Sequence, residues 1–365
     1  MAVAGLPRSG GPPLADPGGA VGAAGAAGIR AMSEVLRPPS PYRFLKLEGT
    51  YREIGEQLGR LGPPFRRPFW WPPPPDPALA AACRQWVARW HPGLLEEYAG
   101  YAAAQGLNLE VLWPQICRTS LRARRFGCST VMWRGPGGAL WVGRNYDFLL
   151  LQRGRDLIWL RPVGGLASVG MMGSLVGGRY DGVNEAGLFV SLHAVMAEET
   201  PPRPGIPFHL IPRILLDRCR SAEEALDLLL RMPHGLPLNL LIADPHRGYA
   251  VEIHPEGQAV REPEEGLLVV TNHYEHPALR RWHGARDPRP SMLRQEALER
   301  RIRTGAEPPR ERLQEALSDH SAPVCGHRPG FATLWSAIAN LTSRTLEYAF
   351  GPPCVAAFQP VPWPG

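Results

Sequence analysis

Lysine is almost absent from this sequence. Lys46 is the one lysine among 40 basic residues, and all the others are arginine. Against 34 acidic residues this leaves a net charge of +6, but it is spread along the chain. The arginine bias, with 40 Gly and 41 Pro, reads as the composition of a GC-rich genome rather than as a binding surface. Local clusters such as Arg122, Arg124 and Arg125 lack the interleaved aromatics and the fold motif of a nucleic-acid reader, so nucleic acid is excluded as a partner. No apolar run reaches the ~18 residues of a membrane span. The first 31 residues are Gly/Ala/Pro-rich and lack the compact apolar segment of a signal peptide, and Met32 offers an alternative start. Cysteine is sparse: Cys83, Cys117, Cys128, Cys219, Cys325 and Cys354 form no CxxC pair, so zinc ribbons and thioredoxin-type sites are unsupported, and no metal is expected. At this length and density a disulfide framework is not expected either, and most of these residues read as small buried apolar groups. The simplest compartment is a reducing cytoplasm. No repeat of 20–50-residue period is present.

What is present is a chain 44% hydrophobic, enough for a large core, in one or two domains. Residues 1–40 read as a disordered leader, with too little apolar mass to offset ordering entropy. Residues 41–127 read as mainly helical after a strand at 42–47: helices over 50–61, 78–90, 93–104 and 109–122 are broken by Pro72–Pro75, by His91-Pro92-Gly93 and by Gly106. Thr50/Glu53 and Ser221/Glu224 have capping-box spacing. From residue 128 the period changes to short strands, interrupted by helix pairs at 207–218 and 221–232 and at 290–303 and 309–318. Strands, helix pair, strands, helix pair, strands fits an α+β fold of two antiparallel sheets with helices outside them.

The chemistry concentrates at Gly127-Cys128-Ser129-Thr130 and Gly143-Arg144-Asn145-Tyr146-Asp147. Between them, two apolar runs flank Gly135-Pro136-Gly137-Gly138, a hairpin that returns Arg144 and Asp147 beside Cys128. A free thiol titrates near ~8.5 and needs a base to act at neutral pH. That base is either a histidine or the cysteine's own α-amine, freed by cutting the preceding peptide bond and titrating near ~8. Gly127 leaves room for attack on its own carbonyl. Arg144 favours a thiolate, and Asp147 can accept from a new ammonium. Taken alone, Cys128 is also a plain buried strand cysteine, and Arg144 with Asp147 a plain ion pair.

These motifs resemble the acyl-coenzyme A:6-aminopenicillanic acid acyltransferase (isopenicillin N acyltransferase) family of N-terminal nucleophile hydrolases, related to choloylglycine hydrolases and penicillin V acylases. The resemblance runs over roughly residues 42–358. It is supported by 47–55, Asn184-Glu185-Ala186-Gly187-Leu188, Val270-Thr271-Asn272-His273, Ser291-Met292-Leu293-Arg294 and Gly351-Pro352-Pro353-Cys354. It implies a four-layer αββα sandwich and a precursor that cuts itself between Gly127 and Cys128. The helical N-terminal pro-segment would then stay associated with a catalytic chain of 128–365. It implies Cys128 as nucleophile, Arg144 and Asp147 as tuning groups, Asn272 as an oxyanion donor and Arg294 as a further site arginine. His193 stands where choloylglycine relatives commonly have asparagine, so the oxyanion hole there would use its backbone N–H. The resemblance implies a small-molecule amide or acyl substrate and no cofactor; acyl-coenzyme A would enter only as a substrate. Two other readings stay open. One is an inactive binding or scaffold protein. The other is a cysteine hydrolase assisted by His273 or His193 that needs no self-cleavage.

Overall fold

The computed structural model describes residues 39, 41–63, 76–120, 127–150, 155–173, 175–195, 197, 201, 203–283 and 287–365. Expectations for residues 1–38, for Pro72–Pro75, and for Arg122, Arg124 and Arg125 lie outside those residues.

The chain opens with β1 (Arg43–Gly49), α1 (Tyr51–Leu61), α2 (Pro77–Trp90), α3 (Pro92–Ala104) and α4 (Leu109–Ser120). Thr50 and Glu53 form the expected reciprocal capping box at α1. The hairpin β2 (Gly127–Arg134) and β3 (Leu140–Leu149) follows, then β4 (Asp156–Pro162), β5 (Ser168–Met172), β6 (Asp181–Asn184) and β7 (Phe189–Ala194). Helices α5 (Leu210–Arg218) and α6 (Ala222–Arg231) precede β8 (Leu238–Ala243), β9 (Gly248–His254), β10 (Gly257–Arg261) and β11 (Leu267–Val270). The short α7 (Pro277–Arg280), then α8 (Arg289–Thr304) and α9 (Pro309–Leu317), lead to β12 (His327–Arg328), β13 (Phe331–Asn340), β14 (Thr345–Ala349) and β15 (Phe358–Pro360).

The strands form two sheets. One has the order β1-β4-β5-β6-β7-β8-β9-β10; the other runs β11-β2-β3-β13-β14-β15, with β12 paired to β13. Helices α5 and α6 cover the first sheet, α8 and α9 the second, and β2 faces β7 across the middle. This is the four-layer αββα arrangement. Two expectations need correction. The first sheet is not wholly antiparallel: β1 runs parallel to β4. A parallel neighbour needs a long crossover, and everything from α1 to β3 lies between these two strands. At α6, Ser221 caps Glu224 N–H, but the Glu224 carboxylate reaches the N–H of Arg220 instead of closing a capping box.

The segment before residue 127 is part of the same core. Tyr42, Leu47, Ile54, Leu94 and Tyr98 are buried in one cluster with Cys128, Tyr146 and Trp335. Helices α1 and α3 cross closely because Gly55 and Gly100 carry no side chain: a Cβ at either would lie 1.9 or 2.1 Å from a backbone oxygen of the other helix. Among the described residues no helix is long and apolar enough to cross a membrane.

Candidate active site

Strand alternation decides which groups meet at Cys128. On β2, Val131 and Trp133 belong to the cluster under α8 and α9, whereas Cys128 and Met132 belong to the core between the sheets. On β3, Gly143 and Asn145 face α9, while Arg144 and Tyr146 point between the sheets. The β2–β3 register pairs Gly127 with Asp147, Cys128 with Tyr146 and Thr130 with Arg144. The hairpin therefore does bring Arg144 and Asp147 back to Cys128, but on opposite faces of the sheet.

On the inter-sheet face Arg144 is fully buried. Its Nε donates to Asp181 Oδ2 at 2.9 Å, its Nη1 to Thr130 Oγ1 at 3.1 Å and its Nη2 to the Leu192 carbonyl at 2.9 Å. Asp181 is also bonded by Trp335 Nε1 (2.7 Å) and the Tyr348 hydroxyl (2.8 Å). His193 Nε2 lies 3.2 Å from Arg144 Nη1 and 3.0 Å from Thr130 Oγ1. Since a guanidinium only donates, Nε2 is the acceptor and Nδ1 carries the proton. That Nδ1 is buried and makes no hydrogen bond among the described residues. Burial, then the Arg144 charge, holds His193 neutral.

On the outer face Asp147 accepts from Thr333 Oγ1 at 2.6 Å. A bulge in β13 makes this possible. The register shifts between Thr333 and Trp335, so Thr333 faces Asp147 while Trp335 turns inward and stacks on Tyr146 at 3.9 Å. Burial raises the Asp147 carboxyl to about 6 against the pull of Arg294, Thr333 and Arg144.

Asn272 joins the two faces. It follows β11, the neighbour of β2, and its Oδ1 accepts the Cys128 backbone N–H at 2.8 Å and Arg294 Nη2 at 2.6 Å. Its Nδ2 donates to the Ala194 carbonyl at 2.8 Å, and its own N–H reaches Ser291 Oγ at 2.7 Å. Arg294, on α8, also approaches Ser129 Oγ at 3.3 Å, and burial lowers its pKa. In the intact chain Asn272 thus acts on the Cys128 nitrogen through its oxygen. The amide that an oxyanion donor would use is bonded to Ala194.

The Cys128 thiol is buried, which raises its pKa. Arg144 opposes this, Asp147 adds to it, and Arg294 and the Asn272 side chain oppose it. His273 takes no part in this group: its Nδ1 lies 2.9 Å from Ser291 Oγ and 3.0 Å from Thr271 Oγ1, and burial depresses its pKa to about 4. All six expected site residues, Cys128, Arg144, Asp147, His193, Asn272 and Arg294, therefore gather around one peptide bond. Sequence reading missed Asp181, Thr130 and Thr333. Thr130 lies in the singled-out motif and was within reach; Asp181 and Thr333 carry no motif, and only the sheet register reveals them.

Among solved structures, the chain is similar to an N-acylethanolamine-hydrolyzing acid amidase ortholog of Caenorhabditis elegans, at 16% identity, covering 59% of this chain and 93% of that one, with a TM-score of 0.47. It is also similar to a mutant conjugated bile acid hydrolase of Clostridium perfringens (13%, 65% and 97%, 0.42) and to the penicillin V acylase of Agrobacterium tumefaciens (14%, 61% and 83%, 0.37). No curated protein matches the chain. The family model for acyl-coenzyme A:6-aminopenicillanic acid acyl-transferase matches residues 133–354, a span that holds Arg144, Asp147, His193, Asn272 and Arg294 and begins just after Cys128. On that match, the chain belongs to the acyl-coenzyme A:6-aminopenicillanic acid acyl-transferase family.

Proposed function

We propose that this protein is a self-processing amidohydrolase or acyltransferase whose nucleophile is Cys128. The observation that carries the proposal is the hydrogen bond from the Cys128 nitrogen to Asn272 Oδ1. The nitrogen at the future chain terminus is already held by a buried acceptor, which Arg294 fixes in turn.

Self-cleavage would run through the Gly127–Cys128 bond. The sulfur adds to the Gly127 carbonyl carbon. The carbon–nitrogen bond breaks as the nitrogen takes up a proton, leaving Gly127 as a thioester on Cys128. Water then releases a 1–127 chain ending in a carboxylate, and a 128–365 chain with a free thiol and α-amine. That amine keeps Asn272 as acceptor and gains Asp147 as counter-charge. In turnover it takes the thiol proton, and the sulfur attacks a substrate amide carbonyl. The amine product leaves with that proton, and water or an acceptor amine resolves the acyl-enzyme. Arg144, neutralised by Asp181, stabilises negative charge on sulfur without solvent. The two chains stay associated because β1 and α1–α4 share the core with the catalytic strands.

The test is intact mass and a denaturing gel. Wild type is expected as two chains split at residue 128, and Cys128→Ala as one 40.1 kDa chain. A wild-type protein that remains a single chain while hydrolysing amides overturns the self-processing scheme.

A further inference from the structure

His320, Cys325, His327 and Cys354 are brought together from the segment after α9, from β12 and from the turn after β14. Their ligand atoms all lie within 4.8 Å of one another. Cys325 Sγ is 3.6 Å from Cys354 Sγ and 3.3 Å from His327 Nε2, and His327 Nε2 is 3.0 Å from Cys354 Sγ. A tetrahedral zinc ion, with bonds of ~2.3 Å to sulfur and ~2.0 Å to nitrogen, places its ligands ~3.3–3.8 Å apart. The Cys325–Cys354 and Cys325–His327 separations fall within that range, and His327 Nε2 to Cys354 Sγ, at 3.0 Å, is slightly shorter. Two thiolates and two neutral imidazoles balance a divalent charge. Soft sulfur and imidazole donors with no carboxylate select zinc over magnesium or calcium. The loop is closed on its own backbone, with Cys325 N–H donating to the Asp319 carbonyl at 3.0 Å. Cys354 is exposed, so an ion has a way in.

We propose that these four residues form a structural zinc site. It staples the 319–327 loop and the turn after β14 to the start of the β12–β13 hairpin. The next residue, Gly326, donates its N–H to Thr333 Oγ1 at 2.9 Å, and Thr333 holds Asp147. The staple therefore anchors the loop behind the Asp147 face of the candidate active site. It was illegible in the sequence because its ligands fall in no CxxC or HxxxH spacing.

The test is metal analysis of the full-length protein produced with zinc and dialysed, together with cobalt substitution. About one zinc per chain is expected, with a thiolate-to-metal charge-transfer band for the cobalt form. Cys354→Ser, a change at an exposed position, should lower bound zinc at least tenfold. Wild type stripped with a chelator should take up one equivalent again. Wild type with less than a tenth of an equivalent overturns the site. So does zinc undiminished in Cys354→Ser, or a Cys325–Cys354 disulfide in a non-reducing peptide map.

Discussion

Gly127 and Asp147 are cross-strand partners so close that a Cβ at residue 127 would lie 2.7 Å from Asp147 Oδ2 and 3.0 Å from its Cβ. Glycine before the cysteine is therefore a packing requirement of the aspartate, and in the proposed scheme also an opening for attack. Gly127→Ala should displace Asp147 or twist the scissile peptide and slow self-cleavage at least ~10-fold, equivalent to ~1.4 kcal/mol. Because residue 127 would leave with the first chain's terminus in the proposed scheme, material that has been cut should turn over substrate like wild type. Time courses of cleavage, with activity normalised to cut chain, check both halves. An equal loss of turnover in cut chains would show that the glycine serves the mature site.

The buried carboxyl of Asp147 gives the uncut chain a pH signature. Its folded value is raised to about 6 by burial, against ~3.9 in an unfolded chain. Between those values the folded form holds a proton that the unfolded form has lost, so stability falls as pH rises. The contribution is full below ~3.9 and lost as pH passes through about 6. In a Cys128→Ala background, which keeps the chain intact, Asp147→Asn should gain stability relative to its parent between pH 4 and pH 7. The gain should be on the order of 3 kcal/mol. Urea unfolding across that range measures it, and a pH-independent difference would contradict the raised carboxyl.

Arg144 and Asp181 form an ion pair with both side chains inaccessible to solvent. Removing one partner leaves an unpaired buried charge, which typically costs ~3–5 kcal/mol. Asp181→Asn is expected to destabilise the protein on that scale, since the Trp335 and Tyr348 donors also lose their carboxylate. Arg144→Met leaves the Asp181 carboxylate as the unpaired buried charge and should cost stability on the same scale. It should also make the thiol harder to ionise, because Arg144 is the main group opposing the burial of Cys128. Alkylation rate of Cys128 against pH is the readout, and the midpoint should move up.

The β2–β3 hairpin was legible because its signals are local. Two apolar runs on either side of Gly135–Gly138 mark the strands, the turn between them sets their register, and the register sets the neighbours of Cys128. Asn272 and Arg294 were reached through resemblance rather than through any local pattern. Three features were out of reach for a common reason: each depends on long-range pairing. The parallel seat of β1 beside β4 is one, the bulge that turns Thr333 to Asp147 is another, and the convergence of Cys325 and Cys354 with two histidines is the third. The roles assigned to Asn272 divide the same way. Its place beside Cys128 was foreseen, but the direction of its amide is set by Arg294 on one side and Ala194 on the other.

That direction separates two functions of one side chain. The oxygen holds the Cys128 nitrogen, which in the proposed scheme would serve self-cleavage and later the α-amine. The nitrogen, bonded to the Ala194 carbonyl in the intact chain, becomes an oxyanion donor only if it lets go after cleavage. Asn272→Asp keeps an acceptor for Cys128 and Arg294 and removes the donor. It should therefore cut, while its cut form loses ~10²–10³ in kcat, the usual effect of deleting an oxyanion donor. Asn272→Ala removes both groups and should leave the precursor largely uncut. Cleavage rate and single-turnover acylation, measured separately, distinguish these outcomes. An Asp variant that both cuts and acylates at the wild-type rate would confine Asn272 to its acceptor role and move the oxyanion donor to the backbone beside His193.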